Sequence, residues 1–282
     1  MEWLTPGSEI PVRQGDILIC RDQQTGSIES TFLVITADCD ISKEKFGAQL
    51  AGLKVITHDQ YLREIWGEKK LLKIIGDEKA KLHSQIVKWH SILIEAKSSL
   101  TEDATLAWLL RDGPQSVANE LNVKEDRKER FINSLTPSYE AFRKLEKEAS
   151  LSDLEKYIVF KSLSGGISVN EVIATTVSSA QKESLPDDAF FLPEIPERPG
   201  HSAVILLREI IGLDPNMIRL KAPDATLNLH LLRIARLKPE IKYAVSQAFG
   251  SLYSKIGMSV EYETRRKTAI NGLTGEGWKT EC

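Results

Sequence analysis

Hydrophobic periodicity changes twice along the chain, and this constrains the fold more than any single motif. Residues 1–57 carry short apolar runs bounded by turn residues, the pattern of strands. From residue 58 to about 184 the apolar residues recur at three-, four- and seven-residue spacings with charges between them, the pattern of amphipathic helices. Strand character returns over 185–237. The few strands of the first segment cannot hide their edges or fill a core alone. The economical reading is a discontinuous β-domain made of 1–57 and 185–260, a helical insertion domain at 58–184, and a mobile tail at 261–282. The expected fold class is therefore α+β: a small discontinuous β-barrel with a large helical insertion and a C-terminal helix.

Within the first segment, Gln14-Gly15-Asp16 signals a turn that leads into Ile17-Leu18-Ile19-Cys20. Residues 22–27, DQQTGS, have hairpin-loop composition, and strands follow at 30–36 and 53–57. In the helical block, Gly67 and Gly76 are expected to interrupt a run over 59–97. Thr101 reads as the N-cap of a helix that Gly113-Pro114 ends. Further helices are expected at 125–133, 138–149, 152–163 and 168–182, with a capping box between Ser152 and Glu155 and a break at Gly165-Gly166. Strands follow at 189–192, 201–211 and 227–237, where Leu227, Leu229, Leu231 and Arg233 would share one side. Pro239 opens the last helix. Its stripe (Ile241, Ala244, Val245, Ala248, Phe249, Leu252, Tyr253, Ile256) reads as core, and Gly257 as its C-terminal stop.

Composition bounds the function classes. Of 282 residues, 41% are hydrophobic and 27% charged, ordinary for a soluble protein. A net charge of -3 gives no global field toward nucleic acid or anionic lipid, so any such contact must use a local patch. The three separated cysteines, Cys20, Cys39 and Cys282, form no disulfide framework and fit free thiols in a reducing cytoplasm. The N-terminus has no basic and apolar leader pattern, and no run approaches the ~18 apolar residues of a membrane span. The expected location is cytoplasmic, without membrane contact. No CxxC or HExxH spacing occurs, so no metal and no cofactor are expected.

The strand Phe32-Leu33-Val34-Ile35 stops at a polar cluster of Thr36, Asp38, Cys39 and Asp40, the candidate catalytic residues. A thiol or soft-ligand site is one reading, with His58 the nearest sequence candidate for a base. Carboxylates beside a thiol disfavour its thiolate. The other reading is a turn capped by Asp38 or Asp40, with Cys39 packed inward as a small apolar group. Arg233, Arg236 and Lys238 form the basic set assigned to nucleic-acid or partner binding, with Arg265-Arg266-Lys267 beyond it. Arg233 or Arg236 is expected to reach Asp38 or Asp40, because two close carboxylates that are partly buried need compensation.

Two resemblances bear on these residues. Gln14-Gly15-Asp16-Ile17 followed by Phe32-Leu33-Val34-Ile35-Thr36, with a further strand at 53–57, resembles the opening of MazF/PemK-like toxins, small barrels that cut single-stranded RNA. That family has a catalytic Arg-Pro before its apolar strand, where this chain has Ser30 and Thr31. Thr36-Ala37-Asp38-Cys39-Asp40-Ile41 is similar to the Ser/Thr-x-x-Cys-Asp-Ile motif of an uncharacterised bacterial family. Its Arg-Leu-Ser-Pro-Pro-Tyr-Arg helix start is matched in part by Arg233-Ile234-Ala235-Arg236-Leu237-Lys238-Pro239, followed by Ser246-Gln247-Ala248-Phe249 and Ile256-Gly257-Met258. The chain departs from it at Glu240-Ile241-Lys242 and at Met258-Ser259. The second resemblance implies a setting among mobile and defence genes. Together they imply a component of a phage-defence or toxin–antitoxin-like system that binds RNA, DNA or a protein partner from the same operon. The alternative is an endoribonuclease with altered catalytic groups.

Overall fold

The computed structural model describes residues 2–21, 27–95, 100–196, 200–221, 230–254 and 259–271. The chain divides into two compact units. One comprises Met1–Val55, Pro186–Leu192 and Ile205–Cys282; the other comprises Ile56–Leu185 and Pro193–Val204.

The first unit is built on a curled half-barrel sheet in a mixed α+β fold. Its strands are β1 (Trp3–Leu4), β2 (Asp16–Arg21), β3 (Ile28–Val34), β4 (Leu50–Thr57), β5 (Ala189–Leu192), β6 (Ala203–Leu213), β7 (Ile218–Arg219) and β8 (Leu231–Leu237). Their order is β1-β8-β2-β3-β4-β6-β5, with β7 pairing β8 in parallel. The β2–β3, β3–β4, β2–β8 and β1–β8 ladders are antiparallel. Strand β2 is an interior strand between β8 and β3, and its consecutive residues Ile17, Leu18 and Ile19 are buried, as a strand covered on both faces requires. Leu18, Val34, Leu50, Leu213, Ile218 and Leu231 form a core cluster behind it. In β8 the buried positions alternate as Leu231, Arg233, Ala235 and Leu237, so Arg233 does share a side with Leu231. The earlier part of that expected strand, 222–229, lies outside the described residues.

Helix α8 (Pro239–Tyr253) starts at proline as expected. Its stripe is less buried than expected: Val245 and Leu252 are core, whereas Ile241, Ala244, Ala248 and Phe249 are half-buried and Tyr253 is exposed. The expected stop at Gly257 lies outside the described residues. The expected tail is in part a helix, α9 (Val260–Asn271). Ser259 Oγ accepts from the Tyr262 amide at 3.2 Å, and Glu261 and Glu263 occupy the first turn, which favours the helix dipole.

The second unit is helical. Residues His58–Gln60 (α2), capped by Thr57, lead into a π-helix at Tyr61–Trp66 and then α3 (Gly67–Leu93). Neither Gly67 nor Gly76 breaks the run. A Cβ at Gly67 would lie 2.5 Å from the Leu154 backbone nitrogen, so this glycine serves close helix packing. Residues Glu102–Glu120 (α4) are capped by Thr101 and form two helical pieces: Gly113, at φ 79° and ψ 162°, ends the first as expected, and Pro114 opens the second. Helix α5 (Glu125–Lys147) runs through Pro137, where two helices were expected. Its buried face of Phe131, Leu135, Ser138, Ala141 and Phe142 spans the proline, and tertiary packing overrides the local breaker. Helices α6 (Asp153–Gly165) and α7 (Val169–Lys182) follow; α6 has the expected Ser152–Glu155 capping box and a left-handed Gly166 stop. Leu82, Ile86, Leu109, Val117, Leu135 and Phe160 centre one apolar core, with Phe142 and Phe160 edge to face at 5.0 Å. Among the described residues no helix is long and apolar enough to cross a membrane.

Candidate functional site

The polar cluster after β3 is a short helix, α1 (Asp38–Ser42), rather than a turn. It forms because Ile35 and Thr36 finish the ladder: both amides donate to the Ala51 carbonyl, and Thr36 Oγ1 accepts from the Ala51 amide at 2.7 Å. Thr36 is thus a strand terminator. The Asp40 and Ile41 amides both turn back to the Ala37 carbonyl, which starts the helix.

Asp38 is the organised member of the cluster. Its Oδ1 accepts from the Gln14 amide at 2.8 Å and its Oδ2 from Lys242 Nζ at 3.0 Å. Gln14 Nε2 donates to the Ile35 carbonyl at 3.2 Å and to Ser246 Oγ at 3.1 Å, and Ser246 donates to the Lys242 carbonyl at 2.8 Å. Gly15 belongs to this arrangement: with φ 89°, it lies where a Cβ would be 3.1 Å from Lys242 Cδ. Burial pushes the Asp38 carboxyl up. The Lys242 ammonium, the Gln14 amide and the Arg13 charge outweigh it and hold the group below the ordinary carboxylate range. Four side chains from three sequence-distant segments therefore form one connected network.

Among the described residues, neither the Cys39 nor the Asp40 side chain hydrogen-bonds to this network. Cys39 is an exposed free cysteine, so it does not pack inward as a small apolar group. Its sulfur lies 3.7 Å from Asp40 Oδ1, a weak contact with a carboxylate. Cys20 lies near another carboxylate: burial first, then Glu29, pushes its thiol up and keeps it protonated. Among the described residues no three His, Cys, Asp or Glu side chains converge as a metal site would require.

The two arginines serve a different carboxylate from the one expected. Asp16, with a fully buried side chain, is gripped by Arg236 through Nε–Oδ1 and through Nη2–Oδ2 at 3.0 Å, and Arg233 Nη1 stands 3.6 Å away. Arg233 also donates to the carbonyls of Gly7 at 2.8 Å and Ile10 at 2.7 Å, and Arg236 to that of Pro11 at 2.9 Å. The guanidinium fork of Arg suits such multidentate work. With 1% of its side chain exposed, Arg233 has no face to offer a phosphate or a partner. Lys238 is half-buried at the start of α8, and its amide donates to the Glu2 carbonyl at 2.9 Å. Of the basic residues singled out, the exposed ones are Arg265, Arg266 and Lys267 on α9.

Asp38 is thus compensated by Lys242, and Asp16 by the arginine pair. Gln14, Asp16, Lys242 and Ser246 entered the sequence reading only as turn or motif residues and not as site residues. Lys242 and Ser246 stand four apart on α8, which places them on one helix face. No family model, no curated protein and no solved structure matches the chain.

Proposed function

We propose that the protein is a non-catalytic binding component of a bacterial phage-defence or toxin–antitoxin-like system. It engages a protein partner or nucleic acid through its β unit, with the helical unit as a further surface. One observation carries this reading. The groups that could do chemistry around α1 are engaged in holding the fold: Asp38 by Lys242 and Gln14, Thr36 by Ala51, and both arginines by Asp16 and the 7–11 carbonyls. A thiol nucleophile is activated by a neighbouring His or cation, and the contact of Cys39 is with the Asp40 carboxylate. The defence setting rests on the resemblance of the Thr36 to Ile41 motif, and the MazF/PemK likeness on the 14–36 pattern.

A protein partner is favoured by exposed aromatic and apolar side chains on α8 and α9: Tyr243, Tyr253, Val260 and Tyr262. Nucleic acid is favoured by the exposed Arg265, Arg266 and Lys267, though Arg266 is shared with Glu263 at 3.5 Å. Gel shifts with RNA and DNA beside a cleavage assay, and co-purification with the products of adjacent genes, test the reading. Binding without cleavage is expected. Clean cleavage that Thr36→Ala or Asp40→Ala abolishes would replace it with the endoribonuclease reading.

A further inference from the structure

The helical unit holds a half-open pocket of about 270 Å³. Leu62 and Trp66 from the π-helix, Leu154 from α6 and Val177 from α7 make an apolar wall. The wall is fixed in place. Trp66 Nε1 donates to Glu183 Oε2 at 3.0 Å, and Lys70 pairs with the same oxygen at 2.7 Å while lying 4.8 Å over the indole ring. Glycine at position 67 lets the backbone beside Trp66 approach Leu154, and any larger residue there would force the two apart. The π-helix itself shifts the helical register by an extra residue per turn, a feature found often at functional sites.

The lining restricts the ligand. Charged or multiply polar molecules, nucleobases included, would leave most of their hydrogen-bonding groups unpaired against carbon. One wall residue has unmet capacity: Thr176 is buried, and among the described residues its hydroxyl has no hydrogen-bond partner. His58 and Gln181 complete the polar part of the lining. A dry cavity of about 150 Å³ holds one benzene, so 270 Å³ suits roughly ten heavy atoms.

We propose that this pocket is a binding site for a small, uncharged, predominantly hydrocarbon ring molecule with a single hydrogen-bonding group that meets the Thr176 hydroxyl. The site lies apart from the network around Asp38 and does not depend on the function proposed above.

Equilibrium dialysis of the full chain against naphthalene and 1-naphthol tests it. Saturable uptake of one molecule per chain is expected, with 1-naphthol bound about twofold to tenfold more tightly, the worth of one net hydrogen bond. Thr176→Val should remove that preference and leave naphthalene uptake unchanged. Ala180→Phe, which fills the pocket from α7, should abolish uptake of both while the circular dichroism spectrum stays folded. Should Ala180→Phe not fold, the Thr176→Val comparison decides alone. No saturable uptake by the wild type, an unchanged naphthol preference in Thr176→Val, or full uptake by folded Ala180→Phe would each overturn the proposal. So would a concentration-dependent dimer that Ala180→Phe dissolves without any probe uptake, since the pocket would then receive a side chain of a second copy.

Discussion

In the β unit the deepest side chains include Asp16 and Arg233 beside Leu18 and Val34; in the helical unit they are Phe160, Leu82, Ile86, Leu109 and Leu135. Among the described residues, the buried polar side chains of the helical unit are the neutral hydroxyls of Thr105, Ser138 and Thr176. Two of them bond locally or to a neighbouring helix: Thr105 donates to the Thr101 carbonyl at 2.8 Å, and Ser138 to Glu78 at 2.6 Å. The β unit instead uses charge to join segments with few residues of their own to bury. The 7–11 segment has little regular structure, and its carbonyls are met by the two guanidinium groups. A bundle of long helices fills its core by periodicity alone. A half-barrel with a short N-terminal edge strand needs specific anchors, because apolar area by itself does not choose where a loop lies.

That contrast predicts different responses to the most disruptive substitutions. Asp16→Ala leaves two guanidinium groups without their carboxylate, one of them fully buried, and should cost about 3–5 kcal/mol. Phe160→Ala opens a cavity in the helical core and should cost a similar ~3–5 kcal/mol. Urea melts followed by hydrogen exchange separate the two: Asp16→Ala should lower protection in β2 and β8, and Phe160→Ala in α5 and α6. The triple replacement Asp16→Leu, Arg233→Met, Arg236→Leu sharpens the point. Apolar replacement of a whole buried ion cluster is often neutral or stabilising, so it should recover most of the loss in the sheet while freeing the 7–11 segment to proteolysis. A triple variant as unstable as Asp16→Ala would mean that the charges contribute stability rather than placement.

Close backbone packing gives the next effect. Gly67→Ala drives a methyl to 2.5 Å from the Leu154 nitrogen, and the helices must part; about 1–3 kcal/mol is expected. Gly76→Ala meets nothing within 4 Å in the middle of α3 and should stabilise by up to about 1 kcal/mol. Opposite signs in thermal melts of these two variants are expected. Equal signs would show that the π-helix end of α3 yields more easily than its contacts indicate.

How much of this was legible depended on range along the chain. Periodicity marked the strands and helices, and caps such as Thr101, Ser152 and Ser168 are local signals, each accepting from an amide three residues on. Continuity through Pro137 was not legible, because a buried face on both sides of the proline decides it. The π-helix was not legible either, since it carries no composition of its own. Around α1, Asp38 was visible as a polar strand end, but its partners were not: Lys242 is 204 residues away and Ser246 lies 232 residues from Gln14. The fate of Arg233 was partly legible. Alternation placed it on the side of Leu231, a core position, which argues against a solvent-facing role.

Partial burial tempers the contribution of α8. Phe249 is half-buried and stacks on Tyr253 with ring centroids 4.8 Å apart. Phe249→Ala should therefore cost about 1–2 kcal/mol in urea melts, less than the ~3–5 kcal/mol of a fully buried phenylalanine. A loss in the upper range would mean that α8 is covered in solution by more than this structure places on it.

The smallest expected effect tests the network at α1. Asp38 has a lowered carboxyl pKa in the folded protein, so its charged form is the one the fold favours. The sign follows from linkage: stability from Asp38 is fully present above the unfolded carboxylate value of about 3.9 and is lost as pH falls through the lower folded value. Asp38→Asn should therefore cost up to about 1 kcal/mol at neutral pH, reflecting a pair whose carboxylate is 32% exposed. The difference from wild type should shrink as pH falls below the ordinary carboxylate value of about 3.9 and vanish once the lowered folded value is passed and the wild-type carboxyl is protonated as well. Lys242→Met should give the same neutral-pH loss, and the double variant should lose little more than either single one. Asp16→Ala should behave otherwise, with a loss several times larger. If Asp38→Asn is silent at pH 7 in stability yet abolishes binding to the partner or nucleic acid, the Asp38–Lys242 pair is part of the contact surface, and the network around α1 is functional rather than a brace for α8.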